Sequence, residues 1–124
     1  MAGTHRYERD YYHQVEGRRT SRKVPGSPWI ICTLWQAQHE IALAASVDEL
    51  KGALGYLGWC VQRAHESGVL AEQYHPYTGE PISVSPLTWS HATFVVVCVE
   101  YLERLAALTT AASASLRPAR SDKA

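Results

Sequence analysis

Ser46-Val47-Asp48-Glu49 is a capping box, in which the serine hydroxyl accepts the glutamate's N–H and the glutamate returns a bond to the serine's N–H. Behind it apolar residues recur at Val47, Leu50, Leu54, Leu57, Val61 and Ala64, a three-four spacing that lays one buried stripe along a helix. Gly52, Gly55 and Gly58 weaken this helix by about 1 kcal/mol each relative to alanine. Packing must offset them, and their small size suits close approach by another helix. Ser67-Gly68 ends the segment, with Gly68 suited to the left-handed position after a helix.

The same logic extends to both sides. Residues 1–26 are polar, basic and dotted with aromatics, with Gly17, Pro25 and Gly26 as breakers and no sustained period, which reads as loop. Ser27 caps a helix with Pro28 at its first position, where a missing N–H costs nothing. Trp29 to Ala45 is apolar almost all round, as in a helix covered on several sides. Residues 69–85 form a connection, with Tyr77-Thr78-Gly79-Glu80-Pro81 as turn chemistry.

Ser85-Pro86 opens a third helix through Phe94–Val99 to about Leu108. Its β-branched run suits a strand, but its length and the continuation Leu102, Leu105, Leu108 favour a helix. Residues 110–124, Ala/Ser-rich and then basic, read as a disordered tail. The expectation is an all-α chain of about three helices with long loops, divided into 1–26, 27–109 and 110–124. Such helices leave apolar surface that they cannot cover for one another, which implies the rest of a domain or another chain.

Composition narrows the functions. At 124 residues and 46% apolar content the chain is one small domain or part of a larger one. Twelve basic and 12 acidic residues cancel, arguing against a global pull toward nucleic acid or acidic membranes. Cys32, Cys60 and Cys98 lie in apolar stretches without CxxC spacing and read as reduced, buried thiols. The first residues carry no apolar signal segment, and no run is long enough to span a bilayer, so the expected location is cytoplasmic.

Chemistry concentrates at Leu70-Ala71-Glu72-Gln73-Tyr74 and Pro86-Leu87-Thr88-Trp89-Ser90-His91-Ala92. A loop glutamate is most often solvated or ion-paired. Here Tyr74, Tyr77 and Trp89 surround it in sequence as rings able to stack on sugar faces, and loops on rigid scaffolds often carry catalytic groups. Hydrolysis with inversion needs one carboxylate to activate water and an acid roughly 6.5–9.5 Å away to protonate the leaving oxygen.

The run Gly68-Val69-Leu70-Ala71-Glu72-Gln73-Tyr74 and the Pro86–Ala92 segment resemble the closing motif of glycoside hydrolase family 15, the glucoamylases and their relatives. Arg6-Tyr7-Glu8-Arg9-Asp10-Tyr11, followed by Ser27-Pro28-Trp29, resembles a second motif of that family in the right order. The resemblance covers roughly residues 5–105. It implies the C-terminal part of an (α/α)6 toroid and inverting release of glucose from α-glucosidic bonds. Glu72 would be the general base and Arg6 a clamp on glucose hydroxyls. Trp29, Tyr74, Trp89 and His91 would help form the sugar site.

No metal or organic cofactor is implied. The implied partners are an α-glucan or oligosaccharide and an upstream half of the same catalytic domain. The chain departs from the family at Ser27, where an asparagine is usual, and in a longer, more basic Val15–Gly26 insert. No segment matches the one that bears the family's general acid, so the isolated chain is expected to be inactive.

Other signals have plainer readings. Arg18-Arg19-Thr20-Ser21-Arg22-Lys23 is a solvated loop in a neutral chain. His65, His75 and His91 lack metal-ligand spacing, and no nucleophile-elbow signature is present. Trp35 and Trp59 fall inside helical patterns and read as core. The competing function is a non-catalytic helical module that pairs with itself or another chain through apolar faces.

Overall fold

The computed structural model describes residues 3–7, 10 and 26–115. The basic cluster from Arg18 to Lys23 and the tail beyond Ser115 lie outside these residues. The described elements are α1 (Ile30–Leu43), α2 (Val47–Leu50), α3 (Gly52–Val61), β1 (Gln73–Tyr74), β2 (Pro81–Ile82) and α4 (Thr88–Ser115). The two short strands pair antiparallel, Gln73 opposite Ile82 and Tyr74 opposite Pro81. Everything else that is regular is helical, as an all-α chain requires.

The capping box forms with one change of partner. The Glu49 N–H donates to Ser46 Oγ at 3.2 Å, while the Glu49 carboxylate accepts the N–H of Ala45 at 2.7 Å instead of that of Ser46. Lys51 keeps right-handed helical dihedrals between α2 and α3, so the two run on through one tightened turn. The helix stops at Val61, short of Ser67-Gly68. Gly68 does take a positive φ of 81°, but it closes a separate turn in which its N–H meets the His65 carbonyl at 2.7 Å.

Two helix starts move, the first of them for an identifiable reason. The expected cap at Ser27-Pro28 does not form, and α1 begins at Ile30 with Trp29 in the cap position. Backbone pairing wins there: the Tyr74 N–H reaches the Pro28 carbonyl at 3.0 Å, and the Ile30 N–H reaches the Glu72 carbonyl at 3.2 Å. That pairing holds Trp29 extended, with φ of −102° and ψ of 139°. The third helix starts at Thr88, after Ser85-Pro86, and runs to Ser115, into the stretch read as a tail. Alanine is the strongest helix former. The hydroxyls of Thr109, Thr110 and Ser113 donate to carbonyls one turn earlier, so polar side chains find partners within the helix.

The core gathers around α1. Ile30, Leu34, Ala37 and Ile41 meet Leu50, Ala53, Leu57 and Cys60 on one side and Val97 on the other, with Leu70, Ala71 and Tyr74 closing the end. α1 packs extensively against both α3 and α4, whereas those two touch each other little. Its C-terminal end is tied to α4 by Arg104, whose Nε and Nη2 donate to the Ala44 carbonyl at 3.0 and 2.6 Å. A cation there meets the negative end of the helix dipole. Gln38 adds a bond to the Glu100 carboxylate at 2.9 Å.

Trp59 is buried as expected, with the Arg63 guanidinium 4.0 Å from its ring centre. Trp35 is not core. It is 47% exposed and meets Trp89 edge-on at 5.9 Å. The close helix approach expected over the glycines is also absent at Gly58, where an added Cβ would find nothing within 4 Å. None of the described helices is long and apolar enough to cross a membrane.

Cys32 and Cys60 are buried, Cys98 partly so, and all are free. Burial disfavours the thiolate and pushes Cys32 to about 11 and Cys60 to about 12. The unfolded chain releases these protons nearer the ordinary thiol pKa of about 8.5. Their contribution to stability is therefore full below that pH and falls as pH rises toward about 11 and 12. Urea unfolding at stepped pH should show this decline, and Cys60→Ala should flatten it. In the same assay at neutral pH, Leu34→Ala, which empties the centre of α1, should cost about 2–5 kcal/mol.

Candidate functional site

The site is built on the segment 28–30, which leads into α1 and lies beside 72–74. Trp29 and Gln73 face each other across an antiparallel bridge. This brings together the two sequence motifs, one leading into α1 and the other carrying the glutamate.

Glu72 is held by its backbone on both sides. Its N–H donates to the Val84 carbonyl at 2.9 Å, and its carbonyl accepts from Ile30 at the start of α1. Its side chain is partly exposed, and Oε2 accepts a hydrogen bond from the Ser83 hydroxyl. Ser83 has φ of 67°, a left-handed conformation that costs a non-glycine residue roughly 1–3 kcal/mol. That conformation occurs at the residue whose hydroxyl reaches Glu72. Sequence reasoning missed Ser83; its one signal was a serine between Ile82 and Val84, just beyond the turn.

The start of α4 clamps the chain leading into Glu72. The Ser90 hydroxyl, fully buried, donates to the Ala71 carbonyl at 3.0 Å. His91 Nε2 accepts the Leu70 N–H at 3.0 Å. His91 thus sits beside the glutamate loop, and the contact it makes there is to backbone. Tyr74 departs from its expected role. It is fully buried, its hydroxyl accepts the Ala71 N–H at 3.2 Å, and its ring meets Trp59 edge-on at 6.2 Å. The apolar residues packed around it place this ring in the core, which leaves it no face for a sugar.

The second half of the site is a charged cluster against Trp29. Asp10, buried to 1% exposure, accepts Arg6 Nε at 2.8 Å and Arg6 Nη2 at 2.9 Å in a two-point fork. The Trp29 indole N–H donates to the same carboxylate at 3.0 Å. The Arg6 guanidinium lies over the Trp29 ring, 4.3 Å from its centre, and its side chain is 34% exposed. Hydrogen bonding to Asp10 holds the guanidinium's pKa above its ordinary value, so Arg6 stays a cation. Trp29 is buried beneath it, and the sequence reading had singled out Arg6 and Trp29 but not the Asp10 that joins them.

Trp89 is the exposed aromatic of the set, at 52%. Gln73 is fully buried, and neither its amide nitrogen nor its amide oxygen has a hydrogen-bond partner. Among the described residues no group of three or more His, Cys, Asp or Glu side chains is arranged to hold a metal ion.

The structure thus shows a partly exposed carboxylate on a fixed backbone, an arginine anchored by Asp10 and an exposed Trp89. The model of the glycosyl hydrolases family 15 matches residues 1–99, and the chain belongs to that family. It is 34% identical over 84 residues to an uncharacterized glycosyl hydrolase of Methanocaldococcus jannaschii, a match covering 60% of this chain and 14% of that protein. It is 35% identical over 79 residues to a glucoamylase of Clostridium sp., covering 63% of this chain and 10% of the relative. The chain therefore spans only about a seventh and a tenth of these relatives' lengths. No solved structure matches.

Asp10→Ala removes the acceptor shared by Arg6 and the Trp29 indole. Hydrogen bonds to charged groups contribute about 1.5–3 kcal/mol, so a loss of that order is expected in denaturant unfolding. Tryptophan emission should shift with it as Trp29 gains water. Asp10→Glu should retain part of both.

Proposed function

We propose that this chain carries the water-activating part of a glucoamylase-like, inverting glycoside hydrolase acting on α-linked glucose. The observation that carries the reading is Glu72: its backbone is bonded on both sides, while its carboxylate stays partly exposed and is oriented by Ser83. A general base needs that combination of fixed position and access to water. Membership of the family and the similarity to a glucoamylase support the chemistry.

In the proposed reaction Glu72 accepts a proton from the water that attacks the anomeric carbon. The bond from that carbon to the leaving oxygen breaks, and a general acid from outside this chain protonates the oxygen. The product sugar carries the inverted configuration. Arg6, held by Asp10 and backed by Trp29, donates to glucose hydroxyls, and Trp89 offers a ring face to the sugar. His91 contributes by fixing Leu70, two residues before the base. Ser83 keeps the carboxylate turned toward the water.

On this reading the isolated chain does not turn over maltose, because the acid's proton transfer is worth about 10²–10⁴-fold. Joined to the remainder of a family 15 catalytic domain, it should release β-glucose, detectable by proton NMR before mutarotation. Glu72→Gln should abolish that release. Ser83→Ala should lower it up to about tenfold, the equivalent of one ordinary hydrogen bond. Turnover that is indifferent to Glu72→Gln would overturn the assignment.

A further inference from the structure

The hairpin that leads away from Glu72 ends in groups that the proposed chemistry leaves unused. Its tip, residues 75–80, lies between β1 and β2. Tyr77 stands there at 66% exposure, the most exposed aromatic side chain among the described residues. A single ring in water is ordinary on a protein surface, so exposure by itself assigns nothing. What sets Tyr77 apart is the stiffness of the turn that carries it and the polar atoms around it.

The stiffness begins at His75. Its Nδ1 accepts the N–H of Tyr77 at 3.3 Å and that of Thr78 at 3.1 Å. The imidazole thereby acts as an Asn or Asp oxygen does in an Asx turn. Backbone bonds close the same turn, from the His75 N–H to the Glu80 carbonyl at 2.8 Å and from the Gly79 N–H to the His75 carbonyl at 3.0 Å. Pro76 adds a fixed φ. The Thr78 hydroxyl accepts the Glu80 N–H and donates to the Glu80 carboxylate, each at 3.3 Å.

The polar atoms follow from these bonds. With Nδ1 an acceptor, the imidazole carries its proton on Nε2. That donor, the Tyr77 hydroxyl and Oε1 of Glu80 take no part in the turn. The His75 ring lies 6.0 Å from the Tyr77 ring at 57°, beside it and not stacked flat on it. A ring face flanked by a fixed donor and a carboxylate acceptor matches both sides of a pyranose, whose C–H face stacks and whose hydroxyls bond. The tip is also continuous with the site. Glu72 stands at the foot of the hairpin, with Gln73 and Tyr74 paired to Ile82 and Pro81 above it. Glu72 and His75 are three residues apart, so their Cα atoms lie within about 11 Å, a span on the scale of a short oligosaccharide.

We propose that Tyr77, with His75 beside it, forms an outer sugar subsite that takes a glucose residue of the leaving part of the α-glucan, beyond the bond that is cut. The proposal rests on the reading of Glu72 as the base of a glucoamylase-like hydrolase. When one glucose is released from a chain end, the remaining contacts fall on the leaving chain. A ring already ordered by its turn loses little freedom on stacking, so Tyr77 favours chains longer than maltose.

The test titrates the isotopically labelled full chain with maltose and with maltoheptaose while its amide resonances are followed by NMR. Maltoheptaose should shift Tyr77, Thr78 and Gly79 saturably, and maltose should shift them less. Tyr77→Ala should weaken maltoheptaose binding roughly three- to tenfold, the equivalent of one aromatic contact. Tyr77→Phe should keep most of it, because the ring remains. His75→Asn offers an oxygen to the same two N–H groups, so it should hold the turn and bind better than His75→Ala, which loses the acceptor. With the chain joined to the remainder of a family 15 catalytic domain, Tyr77→Ala should raise KM for maltoheptaose more than for maltose. Glu72→Gln should leave the shifts at the tip in place and remove only hydrolysis, so the subsite and the catalytic reading fail separately. Tip resonances indifferent to maltoheptaose, or a KM that rises equally for both sugars, would overturn the proposal.

Discussion

The pairing of residues 28–30 with residues 72–74 is the contact on which the described structure turns. It is only a few backbone hydrogen bonds, yet it joins segments distant in the chain. It holds Trp29 extended, so that α1 starts at Ile30, two residues after the Pro28 start expected from the sequence. It also places Tyr74 over the end of the core and Glu72 at its edge. Because the Ile30 N–H is one of the orphan donors of a helix start, the Glu72 carbonyl satisfies a group that a side-chain cap would otherwise have to serve. The absence of a capping side chain at Trp29 and the position of Glu72 are thus one fact seen from two sides.

From that contact the site grows outward by hydrogen bonds that run to backbone as often as to side chains. Thr4 supplies a carbonyl to the Trp29 N–H at 2.9 Å and takes a bond from its own N–H to Thr33 Oγ1 at 2.9 Å, tying the N-terminal segment along the first turn of α1. Arg6 then reaches Asp10 and lies on Trp29. At the other edge, Ser90 and His91 fasten Ala71 and Leu70 to the start of α4. Gly3 lies so close to Trp59 that an added Cβ would fall 2.1 Å from its ring. The N-terminal segment is therefore seated on the helical core at a spot where only glycine fits.

Much of the helical content was legible because it is local. The capping box needs no tertiary information, and the turn around Gly79 has the positive φ of 73° that its sequence invites. The stripe expected from Val47 to Ala64 is buried only in part: Leu50 and Leu57 are core, but Leu54 and Val61 are exposed because no element of the described residues covers that side. The errors have tertiary causes. Ser27-Pro28 carries the chemistry of a helix start, but pairing with Tyr74 overrode it. Tyr74 looked like a sugar platform because it neighbours Glu72, although its ring packs into the core against Trp59, which only the fold brings beneath it. Trp35 looked like core because its helix is apolar all round, a pattern that cannot say which side has its partner in the same chain. Asp10 and Ser83 were invisible as partners because their bonds join segments whose proximity only the fold creates.

The apolar exterior and the site are mechanically linked through α4. The residues that fasten the glutamate loop, Ser90 and His91, lie in the first turn of the helix whose outer face begins at Trp89. Any force that shifts or frays that turn moves Leu70 and Ala71, and with them the backbone of Glu72. Cover over the outer face suppresses such fraying, because local opening is easiest where buried apolar contact is sparse. The position of the Glu72 backbone therefore depends on how the first turn of α4 is packed.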